Sequence, residues 1–397
     1  MTASIPITTA RMTRLPELRL TLVDVTSFFS AANGGIKSYY RAKARFLPPL
    51  GVRCHFVVPA ERDGEKPFAG GTLHEVAGPL IPGSRHYRFF PGIRRLRAIL
   101  EALAPDVIEV GSHYLLPRLI AQIVRGLPKA PALVGFYHAD FPRTYVGPLL
   151  ARAPEPLRRR VTASAWWLVR RQHARYATTL AASRHTAQAL EAAGVPRVRW
   201  VGLGVDTELF CPLPQLPTRA RPQVLYAGRL AVEKEVALLL AAWDRVHART
   251  GAELILAGDG PLAGELAAWA ARRPAVRWLG YVDGPADVAA LLADADVVVA
   301  PGARESFSLV AAEALACGTP VIGADAGGNG ELLADSGGGL PFRAGDAGAL
   351  AETLTRALAL LPEERRALGR RGRAHVLSSL TWTAVCQRLL SAYRAVA

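Results

Sequence analysis

Four short elements between residues 228 and 313 carry side chains and backbone suited to holding a phosphorylated, hydroxyl-rich compound. Gly228-Arg229-Leu230 is followed by Glu233-Lys234 and then by Leu256-Ala257-Gly258-Asp259-Gly260-Pro261. Further on stand Glu305-Ser306-Phe307-Ser308-Leu309 and Glu313. A diphosphate calls for fixed cations and free backbone N–H groups. Arg229 offers a planar fork to clamp it, and Lys234 a point charge from the start of the next helix. Sugar and ribose hydroxyls call for carboxylate acceptors, which Glu305 and Glu313 can supply. The amides from Phe307 to Val310 open a helix, and a helix start favours an adjacent negative charge.

Each element alone is weak, because two glutamates at i and i+8 occur by chance on many surface helices. In sequence, each at a strand-to-helix boundary, they resemble the donor-binding half of the retaining GT-B glycosyltransferases of family 4. That family's signatures include G-R-L-x-x-E-K and E-x7-E, and both stand here in the family's order. The resemblance implies a nucleotide-sugar donor, with Glu305 on the donor sugar's hydroxyls and Glu313 on the ribose. Gly258, Phe307, Ser308 and Leu309 would line the donor with Arg229 and Lys234. Ser308 departs from the family, which often has glycine there.

Two segments nearer the start extend the reading. Gly34-Gly35 sits where a first strand turns into its helix, a place where glycines let backbone approach a ligand and adopt positive φ. By resemblance this loop lines the cleft near the diphosphate and the acceptor. Tyr137-His138-Ala139-Asp140-Phe141-Pro142 is similar to an H-x-D-x-P segment of mannosyl- and lipid-glycosylating members, in which the histidine meets the donor sugar. A lone histidine after a strand is ordinarily structural, and only the family context makes His138 catalytic beside Arg229, Lys234 and Glu305. Asp140 has three open roles: orienting His138, contacting the acceptor, or capping the next segment.

These residues need rigid supports. In the C-terminal half, apolar runs at 224–227, 254–257, 276–279, 297–300 and 320–322 alternate with helical patterns, including one from Glu235 to Arg249. Strands apolar throughout and separated by helices mean a parallel sheet covered on both faces. Ligands of such sheets sit at the carboxyl ends of the strands. The N-terminal half repeats the rhythm less cleanly, at 20–23, 54–58, 107–110, 133–137 and 176–182. The fold class is therefore α/β, and the resemblance makes it GT-B: two Rossmann-like doubly wound domains facing across a cleft. The expected limits are 1–205 for the acceptor-side domain, 206–222 for a proline-rich linker and 223–378 for the donor domain. Residues 379–397 form a last helix, which by resemblance crosses back to the first domain.

Composition narrows the rest. Residues 1–205 carry 29 Lys and Arg against 12 Asp and Glu, the remainder 19 against 21. Ordinary solvated helix faces account for that surplus as well as an anionic membrane surface does. No helix-turn-helix, zinc-finger or aromatic RNA-binding motif accompanies it, so nucleic acid is not an expected partner. Arg158-Arg159-Arg160, Trp166-Trp167 and Arg170-Arg171 read first as a helix packing its tryptophans inward, and second as an interfacial helix. Asp294-Ala295-Asp296 leads into a buried strand and reads as structural. No metal and no cofactor are expected, with cations and helix starts acting on the leaving diphosphate instead. The four cysteines make no metal-ligand spacing, no apolar run reaches about 18 residues, and the first twenty residues carry arginines rather than a secretory core. A cytoplasmic enzyme, in contact with membrane if the basic half binds it, is the expectation. The expected reaction is transfer of mannose from GDP-mannose to a lipid-linked or glycan acceptor. A UDP-sugar donor with a small-molecule or polysaccharide acceptor is the rival, and a phosphorylase, an epimerase or a non-catalytic binding protein of the same fold are the other classes.

Overall fold

The computed structural model describes residues 20–29, 34–82, 87–90, 92–112, 115–138, 140–147, 150, 153–214 and 219–397. Asn33, Ala139 and the first nineteen residues lie outside them. The first half forms a sheet from β1 (Leu20–Val25), β2 (Val52–Ala60), β3 (Gly64–Phe68), β4 (Gly71–Ala77), β5 (Val107–Val110), β6 (Ala132–Tyr137), β7 (Thr178–Ala181) and β8 (Val198–Trp200). Its order is β3-β4-β2-β1-β5-β6-β7-β8, parallel except for β3, which runs antiparallel to β4 at one edge. The second half builds a parallel sheet from β9 (Gln223–Ala227), β10 (Glu253–Ala257), β11 (Val276–Gly280), β12 (Val297–Ala300), β13 (Val321–Ala324) and β14 (Gly339–Phe342), in the order β11-β10-β9-β12-β13-β14. β1, β5, β7 and β13 are buried along their whole length, as strands under helices on both faces must be.

Both sheets reverse direction beside their first strand. In the second sheet the switch lies between β9 and β12, and in the first between β1 and β5. Loops leaving the two strands of such a point diverge to opposite faces and open a crevice. Four strands escaped the periodic reading: β3, β4, β8 and β14. They are edge or near-edge strands whose glycine, proline or charged residues break the apolar pattern.

The last helix, Trp382–Arg394, starts at Thr381, whose hydroxyl accepts the N–H of Ala384. It packs Trp382, Val385, Leu389 and Tyr393 into a buried cluster with Leu22, Tyr40 and Phe56 of the first half. Beneath it lies a wholly buried ionic group. Lys43 Nζ is 2.5 Å from Asp24 and 3.0 Å from Glu109, and the Tyr39, Tyr40 and Tyr393 hydroxyls donate to the two carboxylates. Between Trp200 and Gln223 the described chain has no regular element. It is fixed by Asp206 Oδ1, which accepts the N–H groups of Glu208 and Leu209, and by the ion pair of Arg219 with Asp294.

Candidate active site

Beside the second sheet's switch point, glycines lace together the loops that leave β9 and its neighbour β10. Gly228 has φ of 145° and Gly258 of 147°, conformations that favour glycine. A Cβ on Gly258 would lie 1.9 Å from the Gly228 carbonyl oxygen. The loops after β9 and β10 can therefore touch, and they exchange hydrogen bonds: Gly228 N–H to the Ala257 carbonyl and Leu230 N–H to the Asp259 carbonyl, both 2.9 Å. Gly258 thus has a packing reason of its own.

Lys234 ends a single helical turn, Val232–Lys234, and the long helix starts only at Val236, after Glu235. The sequence placed Lys234 and Glu235 at that helix's start. Instead Glu235 breaks the path with φ of 52°, uncommon for a residue with a side chain. This break lets Lys234 Nζ reach Glu305 Oε1 at 2.5 Å, across the gap between β9 and β12. Glu235 itself accepts the Ala303 N–H at 2.9 Å and lies 3.8 Å from Arg304, so it holds the loop that carries Glu305. Arg229 is exposed and tethered to Glu233 at 3.1 Å, on the outer wall of the crevice.

The Glu305 loop rests on Gly327 and Gly328, which open the helix Gly327–Ser336. A Cβ on Gly327 would lie 2.8 Å from the Glu305 carbonyl oxygen, and one on Gly328 2.6 Å from the Phe307 Cα. Gly328 donates to that Glu305 carbonyl at 2.6 Å, while Asn329 donates to the carbonyls of Ala300 and Gly302. Phe307 is buried below. Ser308, at φ 66° and ψ 74°, is left-handed and opens the helix Leu309–Ala316 without capping it through its side chain. Glu313 follows one turn later. Its carboxylate takes no hydrogen bond among the described residues, and burial pushes its carboxyl up to about 8.

Across the cleft, His138 follows β6. Its ring stacks on Phe136 at 4.1 Å, meets the edge of Tyr39 at 5.4 Å, and lies over Gly111, whose added Cβ would be 3.1 Å from Nε2. The Ser306 hydroxyl donates to the His138 carbonyl at 2.6 Å, so the two halves meet at residues adjoining Glu305. Gly34 opens the helix Gly34–Phe46, and Gly35 lies within its first turn rather than at positive φ, contrary to the sequence reading. The absent side chain matters differently: a Cβ there would press on Leu309 Cδ1 at 3.2 Å. Two helix starts therefore converge, each presenting the positive end of its dipole. Such a seam suits an anion.

Other expectations fall away from this seam. Asp140 accepts the Arg143 N–H at 3.0 Å and caps its own turn, and burial raises its pKa. Trp166 packs inward beside Tyr137 and Val169, whereas Trp167 is half exposed under Arg171. Asp296 accepts the Gln223 N–H and meets Arg365. Glu235, Ser306, Gly327, Gly328 and Asn329 received no role from the sequence. The glycine pair after β13 repeats the signal read at Gly34-Gly35 and was open to the same argument.

Comparison with known proteins agrees with this geometry. The family model described as Glycosyltransferase Family 4 matches residues 33–209, and that of Glycosyl transferases group 1 matches 221–359. A GDP-mannose-dependent alpha-mannosyltransferase of Mycobacterium tuberculosis is 33% identical over 353 residues, covering 85% of each chain. The chain belongs to glycosyltransferase family 4. A D-inositol 3-phosphate glycosyltransferase of Segniliparus rotundus is 31% identical, over 91% of this chain and 84% of that one. Among solved structures, sucrose-phosphate synthase from Thermosynechococcus elongatus superposes with a TM-score of 0.79 at 21% identity, over 95% of this chain and 99% of that one. The two facing sheets are thus a GT-B fold, and the protein is a glycosyltransferase. No described helix of this family 4 member is long and apolar enough to cross a membrane.

Proposed function

We propose that this glycosyltransferase moves mannose from GDP-mannose to a lipid-linked or glycan acceptor, with retention at the anomeric carbon and without a divalent metal. The observation that carries the reading is the meeting of Lys234 and Glu305 at the second sheet's switch point. A donor lying there has its diphosphate against Lys234, Arg229 and the start of the helix Leu309–Ala316. Its sugar lies towards Glu305 and His138, and its ribose towards Glu313. Gly258, Phe307, Ser308 and Leu309 wall the donor, with Gly34 and Gly35 closing over it.

The bond from the anomeric carbon to the diphosphate oxygen breaks, and the acceptor oxygen bonds to that carbon on the same face. The acceptor's proton passes to the leaving diphosphate. Negative charge grows on the diphosphate as the bond stretches, and fixed cations and helix starts stabilise it without reorganising. Holding acceptor and donor in contact supplies the remainder.

The mannosyltransferase relative supports GDP-mannose. The inositol-phosphate relative supports the small-molecule acceptor, here a phosphorylated polyol, of a second reading that takes a UDP-sugar donor. Thermal shift with GDP-mannose, UDP-glucose, UDP-galactose and UDP-GlcNAc separates the donors, because a ligand of the folded state raises Tm. GDP-mannose alone is expected to act. A shift with only a UDP-sugar would overturn the donor assignment. The basic first half, with Trp167 exposed on its helix, supports contact with an anionic membrane. Sedimentation with vesicles containing phosphatidylglycerol should fall as salt rises, and no binding at low salt would exclude that partner.

A further inference from the structure

Beyond the donor crevice, the two halves are joined by a contact at a helix start. The helix Arg184–Ala192 of the first half begins with N–H groups that have no acceptor within it. Ser183 Oγ takes the N–H of Thr186 at 3.1 Å. The N–H groups of Arg184 and His185 instead donate to the two carboxylate oxygens of Glu331, at 2.9 and 2.6 Å, from the helix Gly327–Ser336 of the second half. One turn along, Asp335 meets the Arg184 guanidinium at 2.5 Å. That guanidinium also lies over Trp200, 4.6 Å from the ring centre.

Both partners of this contact lead to the reaction centre. The helix that carries Glu331 supports the Glu305 loop through Gly328. The helix it caps holds that loop from the other side, since the Thr186 hydroxyl donates to the Ser306 carbonyl at 3.3 Å. Ser306 in turn donates to the His138 carbonyl. A carboxylate on two helix-start N–H groups is a favourable charged contact, and it exists only while the halves are together. When they part, water takes over those bonds.

We propose that Glu331 is a positioning residue that latches the cleft closed, seating Ser306 against His138 so that the donor and the acceptor side stay in register. The proposal rests on the donor site described above. It assigns Glu331 to closure and to none of the donor contacts, which lie in the second half, at the Gly35 seam and at His138.

The test compares wild type with Glu331→Ala and the conservative Glu331→Gln. Calorimetry gives GDP affinity, steady-state kinetics with GDP-mannose gives kcat and KM, and small-angle scattering gives the radius of gyration with and without GDP. Glu331→Ala is expected to lower kcat roughly tenfold, to leave GDP affinity within about twofold, and to enlarge the particle. Glu331→Gln, which keeps one acceptor oxygen, is expected to fall between. Unchanged kcat in a folded Glu331→Ala variant would overturn the latch, and so would a loss of GDP affinity that tracks the loss of kcat. If wild type binds no GDP, the donor reading fails separately. Scattering then decides the latch, and an unchanged radius of gyration in Glu331→Ala refutes it.

Discussion

Lys234 Nζ and Glu305 Oε1 stand 2.5 Å apart, each at the end of a loop leaving one of the two strands that flank the second sheet's switch point. The pair is partly exposed, so it contributes little to folding on its own. It does hold a cation and an acceptor side by side at the mouth of the crevice. A diphosphate and the sugar attached to it need that juxtaposition.

Separating the two roles is straightforward. Lys234→Ala removes a charge-assisted contact to the diphosphate, which is expected to weaken GDP binding by about 2–3 kcal/mol. Glu305→Gln leaves the lysine in place, so GDP should still bind while kcat falls on the order of a hundredfold. Calorimetry with GDP and initial rates with GDP-mannose read both. Equal loss of GDP affinity in the two variants would place Glu305 with the diphosphate instead.

Ser308 holds a left-handed backbone at the start of the helix Leu309–Ala316, where a Cβ is crowded by its own backbone. Ser308→Gly is expected to stabilise the free protein by about 1 kcal/mol, measured by the urea midpoint. Destabilisation would mean that the serine side chain makes a contact worth more than the strain.

Glu313 links stability to pH. Burial raises its carboxyl to about 8, from about 4.5 in the unfolded chain. Between these values the unfolded state releases a proton that the folded state keeps, so stability falls as pH rises through that window and levels off above it. Glu313→Gln removes this dependence. Its Tm should gain on wild type from pH 5 to pH 8. Parallel Tm curves for the two proteins would show that Glu313 ionises normally.

Much of this was legible in the sequence, for a physical reason. Strands covered on both faces are rich in apolar residues, so β1, β5, β9, β10 and β12 announce themselves, and the glycines at positive φ, Gly228 and Gly258, mark the ends of β9 and β10. The roles of Lys234, Glu305 and His138, by contrast, came from the resemblance to the family's motifs. What escaped depends on distant chain. Glu235 matters because its backbone turns left-handed and its carboxylate reaches Ala303. Glu331 matters because a helix from the other half begins opposite it. Neither relation leaves a trace in local periodicity. The positive φ expected at Gly35 failed because the helix begins one residue earlier.

The buried group around Lys43 gives the sharpest stability test. Its ammonium is enclosed with Asp24 and Glu109, and three tyrosine hydroxyls complete the shell, one of them from the last helix. Burial and the neighbouring Glu109 raise the Asp24 pKa against the pull of Lys43, while Lys43 and the Tyr393 hydroxyl hold Glu109 low despite its burial. Lys43→Met keeps the volume but leaves two carboxylates facing each other without a cation, a loss of about 3–5 kcal/mol at pH 8. Both carboxyls would then be raised above their unfolded values, so the variant's stability should be greatest in acid and fall as pH rises through their folded pKa values. Urea unfolding at pH 5, 7 and 8 measures this directly. Tyr393→Phe removes one donor to Glu109 and should cost about 1.5–3 kcal/mol, with earlier proteolysis after Arg388 or Arg394 as the last helix loosens. A Lys43→Met deficit independent of pH would mean that packing, not charge, fastens that helix to the first half.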